Sequence, residues 1–198
     1  MKALIEDGRL QKGLSYEAYA ERLASAAQAA ADESLEQDAR RLAEYAKLNW
    51  HRSRRIQKTY NVSAALSETV QAIAEKQFWI ILTEPWCGDS AQCLPYLAKI
   101  AACNPQIELR ILLRDENLDV IDQYLTEGKR GIPKLVAFDT DGWELFQWGP
   151  RPRGAVAIVK RGREAGKVKE KYIEDLHRWY AQDRGRSIEE EILELLRS

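Results

Sequence analysis

Apolar and polar positions change their period twice along the chain, dividing it into three stretches. From Ser15 to Thr59 there is neither Pro nor Gly, and Ala, Glu, Gln, Leu and Arg dominate, which favours helix. Ser15 can cap a helix whose Tyr16, Tyr19, Ala20 and Leu23 share one face, and a second helix from near Ser34 carries Leu35, Ala39, Leu42 and Ala46 at helical spacing. Together they predict a helical hairpin. From about Ala64 to Gln147 the period alternates. ALSETVQAIAEK reads as helix and FWIILT as a strand buried on both faces; SAQCLPYLAKIAAC reads as helix apart from Pro95. IELRILL reads as strand, NLDVIDQYL as helix, and KLVAFD and WELFQW as two strands joined by the turn TDG. A β-α-β unit followed by a helix and a hairpin predicts an α/β protein with a mixed central sheet flanked by helices. The last stretch, Gly154 to Ser198, is helical again, with an apolar stripe of Val168, Tyr172, Leu176, Trp179 and Tyr180 and a stop at DRG. Ser187 and Glu190 have capping-box spacing before Ile188, Ile192, Leu195 and Leu196. These terminal helices need a surface to cover. The expected division is therefore a helical extension over 1–60, a central domain over 61–153 and a second helical extension over 154–198, packed as one unit without a flexible linker.

Composition narrows the function classes. A chain of 198 residues with 45% hydrophobic residues suits a soluble globular protein, and a net charge of −1 gives neither nucleic acid nor an anionic membrane a reason to bind. The start, MKALIEDGRLQKGLSYEAYA, breaks any apolar core an export signal would need, and no later run is long enough to span a bilayer, so the expected location is the cytoplasm. Three cysteines without an export signal argue for reduced thiols rather than a disulfide framework. His51 and His177 show no metal-ligand spacing, so no metal is expected. Arg52, Arg54, Arg55 and Lys58 gather with no acidic residue between them; a solvated helix face is the plain reading, and a patch for the carboxylates of a small thiol such as glutathione is the sharper one.

Reactive chemistry concentrates in TEPWCGDSAQCLPYL. Cys87 follows a buried strand and opens a helix, where unpaired N–H groups and the helix dipole favour a thiolate, while the Asp89 carboxylate opposes it. Ser90 stands one turn further on, placed to donate a hydrogen bond to the sulfur. Cys93 is six residues along, roughly 9 Å of helical rise, whereas bridged cysteines keep their Cα atoms within about 7 Å. It shares a face with Tyr96, Leu97 and Ile100 and reads as a small buried apolar residue, as does Cys103. His177 reads as a packed or exposed helical residue, and the tryptophans 79, 143 and 148 as core or sheet-surface aromatics.

WCGDS, a helix with Pro95 eight residues after the cysteine, and RGIPKLVAF before a hairpin ending in WG together resemble the thioredoxin superfamily over about Ala64 to Gly149. The flanking helices resemble those of a bacterial branch carrying WCGD-type motifs. The resemblance implies a thioredoxin-like fold and makes Cys87 the attacking cysteine and Trp86 its flanking aromatic. Pro133 matches the cis-proline that holds an extended substrate backbone, although cis is the minority form of X–Pro bonds in general. The substrate-binding set is then Trp86, Gly88, Asp89, Ile132 and Pro133, with Cys87 and Ser90 at the reaction centre. Two departures stand out: Ser90 occupies the place of the resolving cysteine, and Ile81 that of a buried acid. A monothiol oxidoreductase follows, in which Cys87 attacks a protein disulfide or a glutathionylated protein and an external thiol, glutathione being one candidate, releases it. Without a dedicated cofactor, the alternatives are a polypeptide-binding module without turnover and a cysteine-based redox sensor.

Overall fold

The computed structural model describes residues 8–198; residues 1–7, which belong to the stretch read above for a leader, lie outside the described residues. After a short helix α1 (Arg9–Lys12), α2 (Tyr16–Gln28) begins at Ser15, whose Oγ accepts from the Ala18 N–H at 3.2 Å. A cap of this kind contributes about 1 kcal/mol. α2 pairs with the long helix α3 (Gln37–Thr59) as the expected hairpin. Next come α4 (Ala64–Gln71), capped by Ser63, then β1 (Gln77–Thr83), α5 (Gly88–Ala101) and β2 (Ile107–Leu113). The single turn α6 (Leu118–Ile121), the hairpin β3 (Lys134–Phe138) and β4 (Glu144–Trp148), and helices α7 (Arg153–Glu164), α8 (Lys169–Asp183) and α9 (Arg186–Arg197) complete the order.

The sheet runs β2-β1-β3-β4, with β1 parallel to β2 and the other two pairings antiparallel. Its parallel pair is joined through α5, as the alternation of strand and helix periods requires. Side chains alternate along β1, so Trp79 and Ile81 enter one core while Ile80 and Leu82 enter the other. The larger core takes Cys93, Leu97 and Ile100 of α5, Tyr19 and Leu23 of α2, Ile56 of α3, Leu176 of α8 and Ile192 of α9. Both sets of terminal helices therefore bury their stripes in the core that covers the sheet. Each fully buried Leu or Ile there contributes about 1.5–3 kcal/mol relative to exposure. The smaller core, on the opposite face, holds Leu10, Leu112, Val120, Ile121, Ile132 and Phe138 with Cys87.

Several local expectations are corrected. NLDVIDQYL forms only one helical turn, since beyond Ile121 the chain passes through turns into a reversal at Glu127 and Gly128, both at positive φ. Ser187 and Glu190 make no capping box: Gly185 is the N-cap of α9, and the Asp183 carboxylate accepts from the Ser187 N–H and hydroxyl. Val168 caps α8 from an exposed position rather than joining its buried stripe, and Trp143 is exposed in the turn before β4.

Helix α3 lies close against α5 because, of the residues it buries, all but Ile56 are small: Ala43, Ala46, Asn49 and Ser53. Ser53 Oγ donates to the Ala91 carbonyl at 3.3 Å, and Asn49 Nδ2 donates to the Pro85 carbonyl at 2.9 Å, so the N-terminal extension is bonded to the loop that carries Cys87. At the other end of the sheet, Gly149 at φ 111 ends the β3–β4 hairpin against the Pro133 backbone; a Cβ there would lie 2.2 Å from the Pro133 carbonyl oxygen. Gly149→Ala is expected to lower the unfolding free energy by about 3 kcal/mol or more, since it adds a collision to an unfavourable φ. Gly128→Ala, at φ 71 with nothing within 4 Å, isolates the backbone effect and should cost about 1 kcal/mol. Denaturant midpoints of the two variants check this, and equal losses would show that the Pro133 contact relaxes.

Candidate active site

Cys87 is the N-cap of α5. The Ser90 N–H donates to its sulfur at 3.5 Å, and the thiol donates to the Ile132 carbonyl at 3.4 Å. The Ile132–Pro133 bond that follows is cis, as is Gly149–Pro150. The fold thus brings the cysteine loop and the segment before β3 together across the smaller core, although they are 45 residues apart. Ser90, the residue in the place of a second sulfur, is wholly buried, and its Oγ has no hydrogen bond of good geometry. Trp86, half-buried, has the Arg114 guanidinium 4.9 Å from its ring centre. With Pro85 it also lines an apolar groove of about 440 Å³, together with Ala26, Leu35, Leu42 and Ala46 of the N-terminal hairpin.

The electrostatics of the site turn on Asp89. It is 8% exposed, and its carboxylate is held by the Arg151 guanidinium at 2.5 Å and by the Tyr180 hydroxyl, which donates to it at 2.9 Å. A buried carboxylate without such partners would be strongly destabilising. For the neighbouring thiol the effect is adverse. Burial, the larger influence, and the Asp89 carboxylate push Cys87 up to about 11, while the Ser90 hydroxyl and the N–H groups of Ser90 and Asp89 pull it down. The position at a helix N-terminus, which the sequence suggested would activate the thiol, is therefore outweighed by desolvation. At neutral pH Cys87 rests as a thiol.

Cys93 is fully buried in the larger core, its thiol donating toward the Tyr180 hydroxyl at 3.7 Å, and burial raises its pKa well above the usual thiol range. Cys87, at the N-terminus of the same helix, packs in the smaller core, so the two sulfurs belong to different hydrophobic clusters. Ile81 sits with Cys93 in the larger core; the buried carboxylates among the described residues that bond to that core are Asp89, through Tyr180, and Glu191, through Trp148. Of the four clustered cations, Arg54 stacks 5.1 Å from the Trp50 ring centre, Arg55 and Lys58 are exposed, and Arg52 turns toward the cysteine loop. Among the described residues, no group of three His, Cys, Asp or Glu side chains is placed to hold a metal ion, and no helix is long and apolar enough to cross a membrane.

Three residues from outside the central pattern complete the site. Arg151, on the loop after β4, pairs with Asp89; Tyr180, read as part of an apolar stripe, contributes its hydroxyl to the same carboxylate. His177 lies over Gly88 and beside Gln92, and burial, followed by the charges of Arg52 and Arg151, holds it down to about 4, so the ring is neutral at physiological pH. The i, i+3 spacing of His177 and Tyr180 was the available signal, since it places both on one face of α8.

Comparison with known proteins agrees with this architecture. A crystallised protein of unknown function from Pseudomonas aeruginosa is 19% identical, with 93% of this chain and 92% of that one covered and a TM-score of 0.58. An HIV epitope-scaffold is 17% identical, covers 95% of this chain and 94% of its own, and has the same TM-score of 0.58. At these identities both show the fold alone. No curated protein matches the chain. A family model described as thioredoxin matches residues 36–169, more than half of the sequence, and with the sheet order and the Cys87–Ile132 geometry it places this protein in the thioredoxin family.

Proposed function

We propose that this protein is a monothiol thiol–disulfide oxidoreductase acting through Cys87. The observation that carries the reading is the placement of one sulfur at the N-terminus of α5, hydrogen-bonded to the Ile132 carbonyl, with a hydroxyl at Ser90 where a second sulfur would stand. In the first step the Cys87 sulfur attacks the glutathione sulfur of a protein–glutathione disulfide. The protein–S–S bond breaks, a Cys87–glutathione disulfide forms, and the proton of Cys87 ends on the departing protein thiol. A second glutathione then attacks that disulfide, leaving oxidised glutathione and Cys87 as a thiol again. The substrate is reduced, two glutathionyl groups are joined, and the residue at position 90 takes no part in bond exchange. Trp86, Gly88, Asp89, Ile132 and Pro133 form the surface that receives the substrate.

The raised pKa sets the pace. With a value of about 11, the thiolate fraction at pH 7 is about 10⁻⁴, against about 3% for a free cysteine. A more basic thiolate is the stronger nucleophile, with a Brønsted slope of about 0.4–0.5, which recovers roughly tenfold. The net expectation is exchange some tens of times slower than with a free thiol unless the substrate also orients the reacting sulfurs. The same observation favours the second reading, a polypeptide-binding module whose buried thiol never turns over.

Two measurements separate them. The rate of Cys87 alkylation by iodoacetamide is expected to rise about tenfold per pH unit from 7 to 10 without a plateau, because the group titrates near 11; a plateau below about pH 8.5 would contradict the electrostatics described above. Turnover of a glutathionylated peptide with glutathione as reductant should disappear in Cys87→Ser and persist at half or more of the wild-type rate in Cys93→Ala. Absence of turnover in the wild-type protein would leave the binding module, and equal loss in both variants would assign a redox role to Cys93.

A further inference from the structure

We propose that Arg52 and His177, which meet over Gly88, form a carboxylate-binding subsite beside Cys87 that takes a small thiol carrying a carboxylate. The thiol in this assignment rests on exchange at Cys87; the carboxylate subsite stands on its own geometry. Arg52 is half-buried, yet its only hydrogen bond is from Nη1 to Asn49 Oδ1 at 3.1 Å, and among the described residues no carboxylate lies within ion-pair distance. By contrast, Arg114, Arg130, Arg151 and Arg153 are all paired with acids. A guanidinium taken partly out of water with four of five donors unused is arranged for an anion that comes from elsewhere. Arg55 adds to the positive potential around it, and the Asp89 carboxylate, held by Arg151 and Tyr180, offsets part of that potential without pairing with Arg52.

His177 supplies the second donor. Its Nδ1 faces Gln92 Nε2, an amide donor, at 3.4 Å, so the proton of the neutral ring lies on Nε2. That nitrogen points to the helix end: a Cβ on Gly88 would lie 3.4 Å from His177 Nε2, 3.2 Å from its Cε1 and 3.6 Å from Arg52 Nη1. A Cβ here would crowd the His177 ring slightly and touch Arg52 at ordinary contact distance, so both side chains lie directly against the backbone one residue from the reactive sulfur. The N-terminus of the 14-residue helix α5 adds its own preference for negative charge. Asp89 does not fill the subsite, because its two oxygens are taken by Arg151 and Tyr180. One turn along, the wholly buried Ser90 hydroxyl lies close enough to the sulfur to lower its pKa and serves the thiol rather than the carboxylate. Arg52 comes from the N-terminal extension and His177 from the C-terminal one, so the subsite exists only where both extensions pack on the central sheet.

The test uses the full chain with Cys87→Ser, so that no disulfide chemistry takes part, and the probe S-methylglutathione, with its diethyl ester, which keeps the amino group and lacks both carboxylates, as the control. Calorimetric titration at low salt is expected to show saturable binding of the acid in the millimolar range and binding of the ester at least about tenfold weaker. Adding Arg52→Gln should weaken the acid at least about tenfold, whereas Arg54→Gln, on the exposed side of the same helix, should leave it unchanged. Thermal melting confirms that both variants are folded. No saturable binding by about 20 mM, equal affinity for acid and ester, or equal effects of the two arginine variants would overturn the subsite. Turnover of a neutral disulfide, 2,2′-dithiodipyridine, by the wild-type protein reports separately on Cys87. If that exchange is absent while selective carboxylate binding is present, the subsite stands and the oxidoreductase reading falls.

Discussion

The Asp89 carboxylate, buried at the start of α5, ties the parts of this molecule to one another. Ionised side chains in a low-dielectric interior need close partners, and Asp89 has two from different segments: Arg151, just after β4, and Tyr180 on α8. Through them the cysteine loop, the far end of the hairpin and the C-terminal extension are held to one another by charge-assisted bonds. The Tyr180 hydroxyl also receives the Cys93 thiol, so the network passes from the site into the larger core. The arrangement that makes the loop rigid also opposes its most evident chemistry, since the same carboxylate helps to keep Cys87 protonated.

The two sulfurs of the WCGDSAQC stretch have different fates because they pack in different hydrophobic clusters. Cys87 joins the small core with Ile132 and Leu82, next to the segment that receives an extended partner in the thioredoxin family, while Cys93 joins the large core among Leu97, Ile100 and Tyr180. Bonding the two would require the wholly buried Cys93 to leave its packed cluster, a barrier added to that of helical rise. Ser90 remains at the helix end with an unpartnered hydroxyl, and release of a mixed disulfide passes in the proposed cycle to an external thiol.

The terminal helices do more than cover the sheet. α3 reaches the cysteine loop through Asn49 and Ser53, two small polar residues among alanines, and sends Arg52 over Gly88; α8 sends His177 to the same point and Tyr180 beneath it. The structural neighbours are covered over more than nine-tenths of their length, so they share the fold with its extensions and not only the central sheet.

Much of this was legible in the sequence. The change of apolar period from 3.6 to alternating strand and helix and back set the element order, since local periodicity is recorded in neighbouring residues. The position of Cys87 at the head of a helix and the absence of a second sulfur at Ser90 were equally local facts. Local rules failed where competing local signals met: Ser187 looked like a cap, but Asp183 and Gly185 took that role, and NLDVIDQYL carried a helical pattern that the reversal at Glu127 and Gly128 cut to one turn. Only the tertiary structure decided the electrostatics. Arg52, Arg151, His177 and Tyr180 are distributed over about two-thirds of the chain, and nothing in their immediate neighbours marks them as belonging to Cys87. Their charges act through space across packed elements, and burial, which raises the thiol more than the helix N-terminus lowers it, is a property of the assembled core and not of any segment.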